Sequence, residues 1–171
     1  MEIVKPAAPK HDDGWAQIRQ WDIRSRRYQW FQSMVEMCSK TKEFRDYIHS
    51  IPEEVIRSEM TEQIRFANKF HQFANEWLQP HIQNIKQVVR TQEMQEHITG
   101  TLTLNWEMLC DTKEEISKTF DPLLSDAGTS LKNVQLVLKF CRLMKDYYFY
   151  IQSISKVFFD LSQVATGRVK R

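Results

Sequence analysis

Residues 131–164 read LKNVQLVLKFCRLMKDYYFYIQSISKVFFDLSQV. Apolar side chains recur there in steps of three and four: Val134, Val137, Cys141, Met144, Tyr148, Ile151 and, one heptad on, Phe158. Residues three and four apart share a helix face, so this period predicts a long amphipathic helix from about Leu131 to Val164. At 1.5 Å per residue it would be roughly 50 Å long. Leu136, Leu143, Tyr147, Phe149, Tyr150 and Phe159 lie off the main stripe. Such breadth implies either a helix covered on several sides or an oligomer seam.

The same period continues upstream. Asp121-Pro122 to Thr129 carries Pro, Gly and Asp and is the clearest loop, with Thr129 or Ser130 placed to cap the last helix. Before it, Met94, Ile98, Leu102, Trp106, Leu109, Ile116 and Phe120 form one stripe, rotated from that of Ile82, Ile85, Val88 and Val89. The phase shift near Arg90 and the Thr99-Gly100-Thr101 triplet weaken continuity. Thr101 to Leu104 alternates like a strand but is too short to overrule the helical steps around it. Pro80 stops or kinks the preceding segment. That segment shows two adjacent rows: Ile56, Met60, Ile64, Ala67, Ala74 and Leu78, then Phe66, Phe70, Phe73 and Trp77. Two rows imply burial on two sides. Ser50-Ile51-Pro52-Glu53-Glu54 reads as its start, with Ser50 as cap and the acids at the positive helix end. The first segment carries Trp15, Ile18, Trp21, Tyr28, Phe31, Val35 and Cys38 on one face. Its phase jumps at residues 39–42, where a kink or break is expected.

The fold class expected is therefore all-α: an antiparallel bundle of about four long amphipathic helices, or three if Pro80 only kinks. Residues 1–12 read as a flexible tail, 13–166 as a single helical domain, and 167–171, Gly-Arg-Val-Lys-Arg, as a basic tail. Only the helix count is similar to spectrin-like or crescent-shaped membrane-bending modules.

Composition agrees. The chain has 171 residues, the size of one domain, and only 4 Gly and 5 Pro, fewer turn formers than most β-rich or α/β folds need. A net charge of +2 is well short of the excess that marks a nucleic-acid binder. Cys38, Cys110 and Cys141 are odd in number and widely spaced, and the N-terminus lacks the apolar stretch that secretion needs. Free thiols in a cytoplasmic or other reducing compartment are expected. No run of about 18 apolar residues is present, so no transmembrane segment is expected.

No constellation for catalysis emerges, and neither a cofactor nor a metal is expected. A di-iron bundle needs Glu-x-x-His on paired helices, and Glu93 with His97 are four apart and unanswered. Zinc-type Cys or His clusters, nucleophile elbows and phosphate loops are missing. Cys38 and Cys141 sit on apolar stripes, where a free thiol packs as a small hydrophobe. Arg65 to His71 and Arg90 to His97 fit an Arg-then-His spacing found in small helical-bundle ribonucleases. Phe66 stands where that pattern has a polar residue, Thr91 fits only loosely, and about one chance match is expected.

The first helix carries the surplus. Ile23, Trp30 and Met37 recur every seven residues opposite the core stripe, and Arg19, Arg26 and Arg27, with Arg24 nearby, crowd the same helix. Trp, Met and Ile edged with Arg is the composition enriched at protein interfaces. The row either packs against the long last helix or stays outside for a partner. The expected function is a non-enzymatic helical interaction module, a scaffold, adaptor or assembly subunit, acting through protein partners or self-association. The candidate partner-binding residues are Arg19, Ile23, Arg26, Arg27, Trp30 and Met37. The alternative is an anionic lipid or nucleic-acid surface bound through the arginines.

Overall fold

The computed structural model describes residues 11–38, 42–88 and 98–165, and among these residues there is no strand. The described residues form, in order, the α-helices α1 (His11–Cys38), α2 (Lys42–Ser50), α3 (Glu53–Phe73), α4 (Gln79–Val88), α5 (Leu104–Ser125) and α6 (Val134–Ala165). Of the tail expected at 1–12, residues 1–10 lie outside the described residues, while His11 and Asp12 already belong to α1; the tail expected at 167–171 lies wholly outside them, as do residues 39–41 of the expected break between α1 and α2.

The 32-residue α6 lies between α1 and α5, packing most extensively on these two. Gln152 on α6 donates to Gln29 on α1 at 2.8 Å, and Lys145 reaches Glu36 at 2.8 Å. One partner number rises as the other falls, so α1 and α6 are antiparallel. α3 runs the same way as α6: Gln63 meets Tyr148, and further along Trp77, in the turn after α3, meets Phe158. α5 opposes α3, with Arg57 at its C-terminal end and His71 stacked on Trp106 near its start.

The stripes expected of α3, α5 and α6 are the core. Met60, Ala67, Phe70, Leu78, Leu109, Ile116, Phe120, Met144, Tyr148 and Ile151 are all at most 2% exposed. Burying a large apolar side chain is worth about 1.5–3 kcal/mol, so these rows provide most of the drive to fold. Aromatic edges lock them. Trp21 of α1 stands edge-on to Phe66 and Phe70 of α3 at 5.3 and 5.4 Å, and Tyr28 stacks on Tyr148 at 5.7 Å. Tyr147, off the main stripe, is fully buried, and its hydroxyl donates to the Ala67 carbonyl at 3.1 Å. The breadth of α6 thus largely reflects cover from both flanks, while Phe149 and Phe159 stay outward.

Three local expectations are corrected, and the alternative left open at Pro80 is resolved: the helix continues through it. A π-helical turn, Ala74–Leu78, joins α3 to α4, and the Gln79 N–H bonds back to Ala74, five residues earlier. The wider turn gives room for a proline that would clash with a tight α-helical ladder. Pro122 does not open a loop either. α5 runs through it to Ser125, because Arg57 of α3 caps the end: its guanidinium donates to the carbonyls of Leu124 at 2.9 Å and Thr129 at 2.8 Å. The last helix is capped by Asn133, whose Oδ1 accepts the Leu136 N–H at 3.0 Å, and not by Thr129 or Ser130. Ser50 is no cap for α3. Its hydroxyl donates back to Tyr47 at 2.8 Å. The strand-like Thr101 to Leu104 is helical, passing from a π-helical turn (Ile98–Thr103) into α5.

Candidate interaction surface

α1 has two unlike faces. Its inner face holds Ile18, Tyr28 and Val35, none more than 9% exposed, with Ser25 and Gln32 buried among them. Successive residues turn by 100° on a helix, so Trp30 points about 160° away from Gln32. Ile23, Trp30 and Met37 share that far side and are 50%, 68% and 79% exposed. The row does not pack against α6. Its apolar surface lies in solvent, in a molecule whose other tryptophan on this helix with a described side chain, Trp21, is packed against the core.

The arginines divide. Arg26 pairs with Asp22 one turn back at 3.3 Å while remaining largely exposed. Arg27 lies over the Tyr28 ring at 5.0 Å, and Arg24 over Trp21 at 4.4 Å, closing the opposite seam towards α3. Arg19 is exposed. Arg19 and Arg26 thus lie beside the Ile23–Trp30–Met37 row, whereas the guanidinium of Arg27 reaches inward to Tyr28 and Arg24 belongs to the α1–α3 packing.

A second outward face escaped the sequence reading. On α5, Leu104 and Met108, one turn apart, are 53% and 41% exposed. Glu107, Asp111 and Glu114 are exposed along the same helix. The buried stripe of α5 masked this set, since two apolar residues are too few to form a second periodic row. An apolar cavity of about 120 Å³ also opens between α2, α3 and α6, walled by Ile48, Met60 and Cys141, with Val55 at its rim and Glu59 as its one charged lining group.

Burial pushes the Cys141 thiol up to about 12 and the Cys110 thiol to about 11, the reverse of what a nucleophile needs. Arg65 pairs with Glu62 on the surface. His71 lies six residues on, about a third of a turn away around the helix axis, flat against Trp106 at 6.1 Å. Burial and the Lys113 ammonium hold its pKa below the ordinary value. α3 thus does not bring Arg65 and His71 to one point, and His97 lies outside the described residues. Among the described residues, no group of three or more His, Cys, Asp or Glu could hold a metal ion, and no helix is long and apolar enough to cross a membrane. Comparison with family models, with curated proteins and with solved structures returns no match.

Proposed function

We propose that the chain is a non-enzymatic helical interaction module, a scaffold or assembly subunit, whose contact surface is the outer face of α1. We read its long rods, α1, α3 with α4, α5 and α6, as an antiparallel bundle of about four braced by the short α2. The observation that carries the proposal is the exposed row Ile23, Trp30 and Met37. Single exposed apolar residues are ordinary, but a heptad-spaced row centred on Trp, with Arg26 and Ser33 between its members, has the make-up of an interface centre. The fold does not need the row: α1 is held from its other face by Ile18, Tyr28, Gln32 and Val35.

The test is a photo-cross-linker placed at position 30 in the full chain within its native source, with a control at the exposed Gln135 of α6. A discrete adduct at position 30 and none at position 135 supports the reading, whether the adduct is a second copy or another protein. No adduct, or the same adducts at both positions, overturns it.

One observation favours a second reading. Trp30 beside Arg26 and Arg27 also suits an anionic lipid surface, where an amphipathic ring sits at headgroup level. Co-sedimentation with phosphatidylserine vesicles that falls steeply with salt and is lost on Trp30→Ser would support it, and unchanged pelleting of that variant would dismiss it.

A further inference from the structure

We infer that the outer face of α1 docks antiparallel on the outer face of α5 of a second copy, so that the chain associates head to tail. This rests on reading α1 as an interaction surface, and it names the occupant.

The two faces are complementary in kind. The outer face of α1 carries Arg19, Ile23, Arg26 and Trp30, with Arg27 at its edge and Met37 beyond. That of α5 carries Leu104, Glu107, Met108, Asp111 and Glu114. An antiparallel arrangement sets Trp30 on an apolar residue and cations on anions, whereas the parallel one that pairs Arg19 with Glu107 and Arg26 with Glu114 puts Trp30 against Lys118. With Trp30 over Leu104, Glu107 meets Arg26 and Arg27, Glu114 meets Arg19, and Asp111 falls at Ile23. The spans are close: eleven residues from Arg19 to Trp30, about 16.5 Å, and ten from Leu104 to Glu114, about 15 Å. The exposed Lys118 falls beyond the arginines, opposite Ala16.

α1 on α1 is the poorer match. Of its acids with described side chains, Glu36 is paired with Lys145 and Asp22 is buried beside Arg26. A second α1 would therefore set arginines against arginines along residues 16–38. Within one copy, α1 and α5 flank α6 on separate sides, so one chain cannot close the contact on itself. Contact between two different patches is heterologous, and each copy keeps one unfilled face, which drives growth into rings or filaments.

The experiment is light scattering of the full chain over a concentration series, with two charge-reversed forms, R19E/R26E on α1 and E107K/E114K on α5. The wild type should grow beyond a dimer with concentration and dissociate with added salt. Each reversed form alone should be monomeric, weakened by about tenfold or more per lost contact. Their mixture should regain growth, since the acidic α5 of one meets the basic α1 of the other and the reversed α1 of the first meets the reversed α5 of the second. The chain carrying all four changes should associate again. Trp30→Ser, which leaves the charges alone, should also be monomeric, and circular dichroism of each variant confirms folding. A wild type that stays monomeric, or association insensitive to E107K/E114K, overturns the head-to-tail contact. An adduct to another protein at position 30 would then leave α1 standing as an interaction surface with a different occupant.

Discussion

The side-chain amide of Gln32 on α1 donates to the carbonyl of Gln63 on α3 at 2.6 Å, with both residues at most 1% exposed. The same Gln63 oxygen accepts the Tyr148 hydroxyl from α6 at 3.3 Å, and its nitrogen donates to Glu59 at 2.9 Å. Three helices therefore meet at one buried amide. Apolar stripes tolerate sliding by a turn, but this polar junction is satisfied in one register only, which makes it a device for specifying the packing.

Removing Gln63 should be costly. Gln63→Leu leaves the Gln32 amide and the Tyr148 hydroxyl buried without partners, a loss of about 2–4 kcal/mol. Gln32→Leu should cost less, because the Gln32 Oε1 already lacks a partner and Tyr148 still reaches Gln63. The double variant should lose less than the sum, since each change removes a group the other had orphaned. Urea denaturation of the four proteins gives the coupling, and strictly additive losses would show that the junction is not a unit.

Exposed and buried aromatics should separate cleanly. Phe70→Ala opens a hole in a fully buried layer between Trp21 and Tyr147 and should destabilise by about 3–5 kcal/mol. Trp30→Ala should change stability by no more than about 0.5 kcal/mol, as for an ordinary surface site. Thermal melts of dilute protein decide this. A comparable fall for Trp30→Ala would mean that the outer row of α1 holds the fold together and is not spare.

Periodicity carried most of this architecture. The rows through Met60 and Phe70, through Leu109 and Phe120, and through Met144 and Ile151 were readable because each repeats at helical spacing over several turns. Local punctuation left Pro80 open between a stop and a kink, and misled at Pro122. In both places the remedy is not local to the proline's own residue pattern: a π-helical turn widens the backbone before Pro80, and a guanidinium 67 residues distant caps the end of α5. Glu53 likewise accepts the Leu131 N–H at 2.7 Å across the fold. The row Ile23–Trp30–Met37 was legible as a second face, but sequence alone left open whether α6 covers it, because that depends on which side of α1 faces inward. The α5 face gave too short a signal to find.

The thiols should be quiet in the folded protein. With the Cys141 thiol near 12, its thiolate fraction at pH 8 is on the order of one part in ten thousand, and that of Cys110, near 11, about ten times larger. Cys141 is also 1% exposed, so a disulfide reagent should modify it only on unfolding, while Cys110 reacts slowly. Peptide mass spectrometry before and after denaturant distinguishes the sites. Rapid labelling of Cys141 under native conditions would mean that the α3–α6 seam opens readily.

His71 should make the fold acid-sensitive. Its Nδ1 is buried without a hydrogen-bond partner, its ring lies flat on Trp106, and Lys113 stands near. Burial, then the Lys113 charge, holds the folded-state pKa below the ordinary 6.5. The unfolded chain therefore takes up the proton first as pH falls. Stability should be unaffected by this group well above pH 6.5, decline as pH drops through that value, and level off once the folded form also protonates. His71→Phe keeps a ring against Trp106 and removes the titration. Its melting temperature should fall less steeply than that of the wild type between pH 7 and 5, and the difference between the two curves isolates His71 from the other histidines. Parallel curves would show that the ring is protonated as easily in the folded chain as in the unfolded one, and that the packing against Trp106 imposes no penalty on the charge.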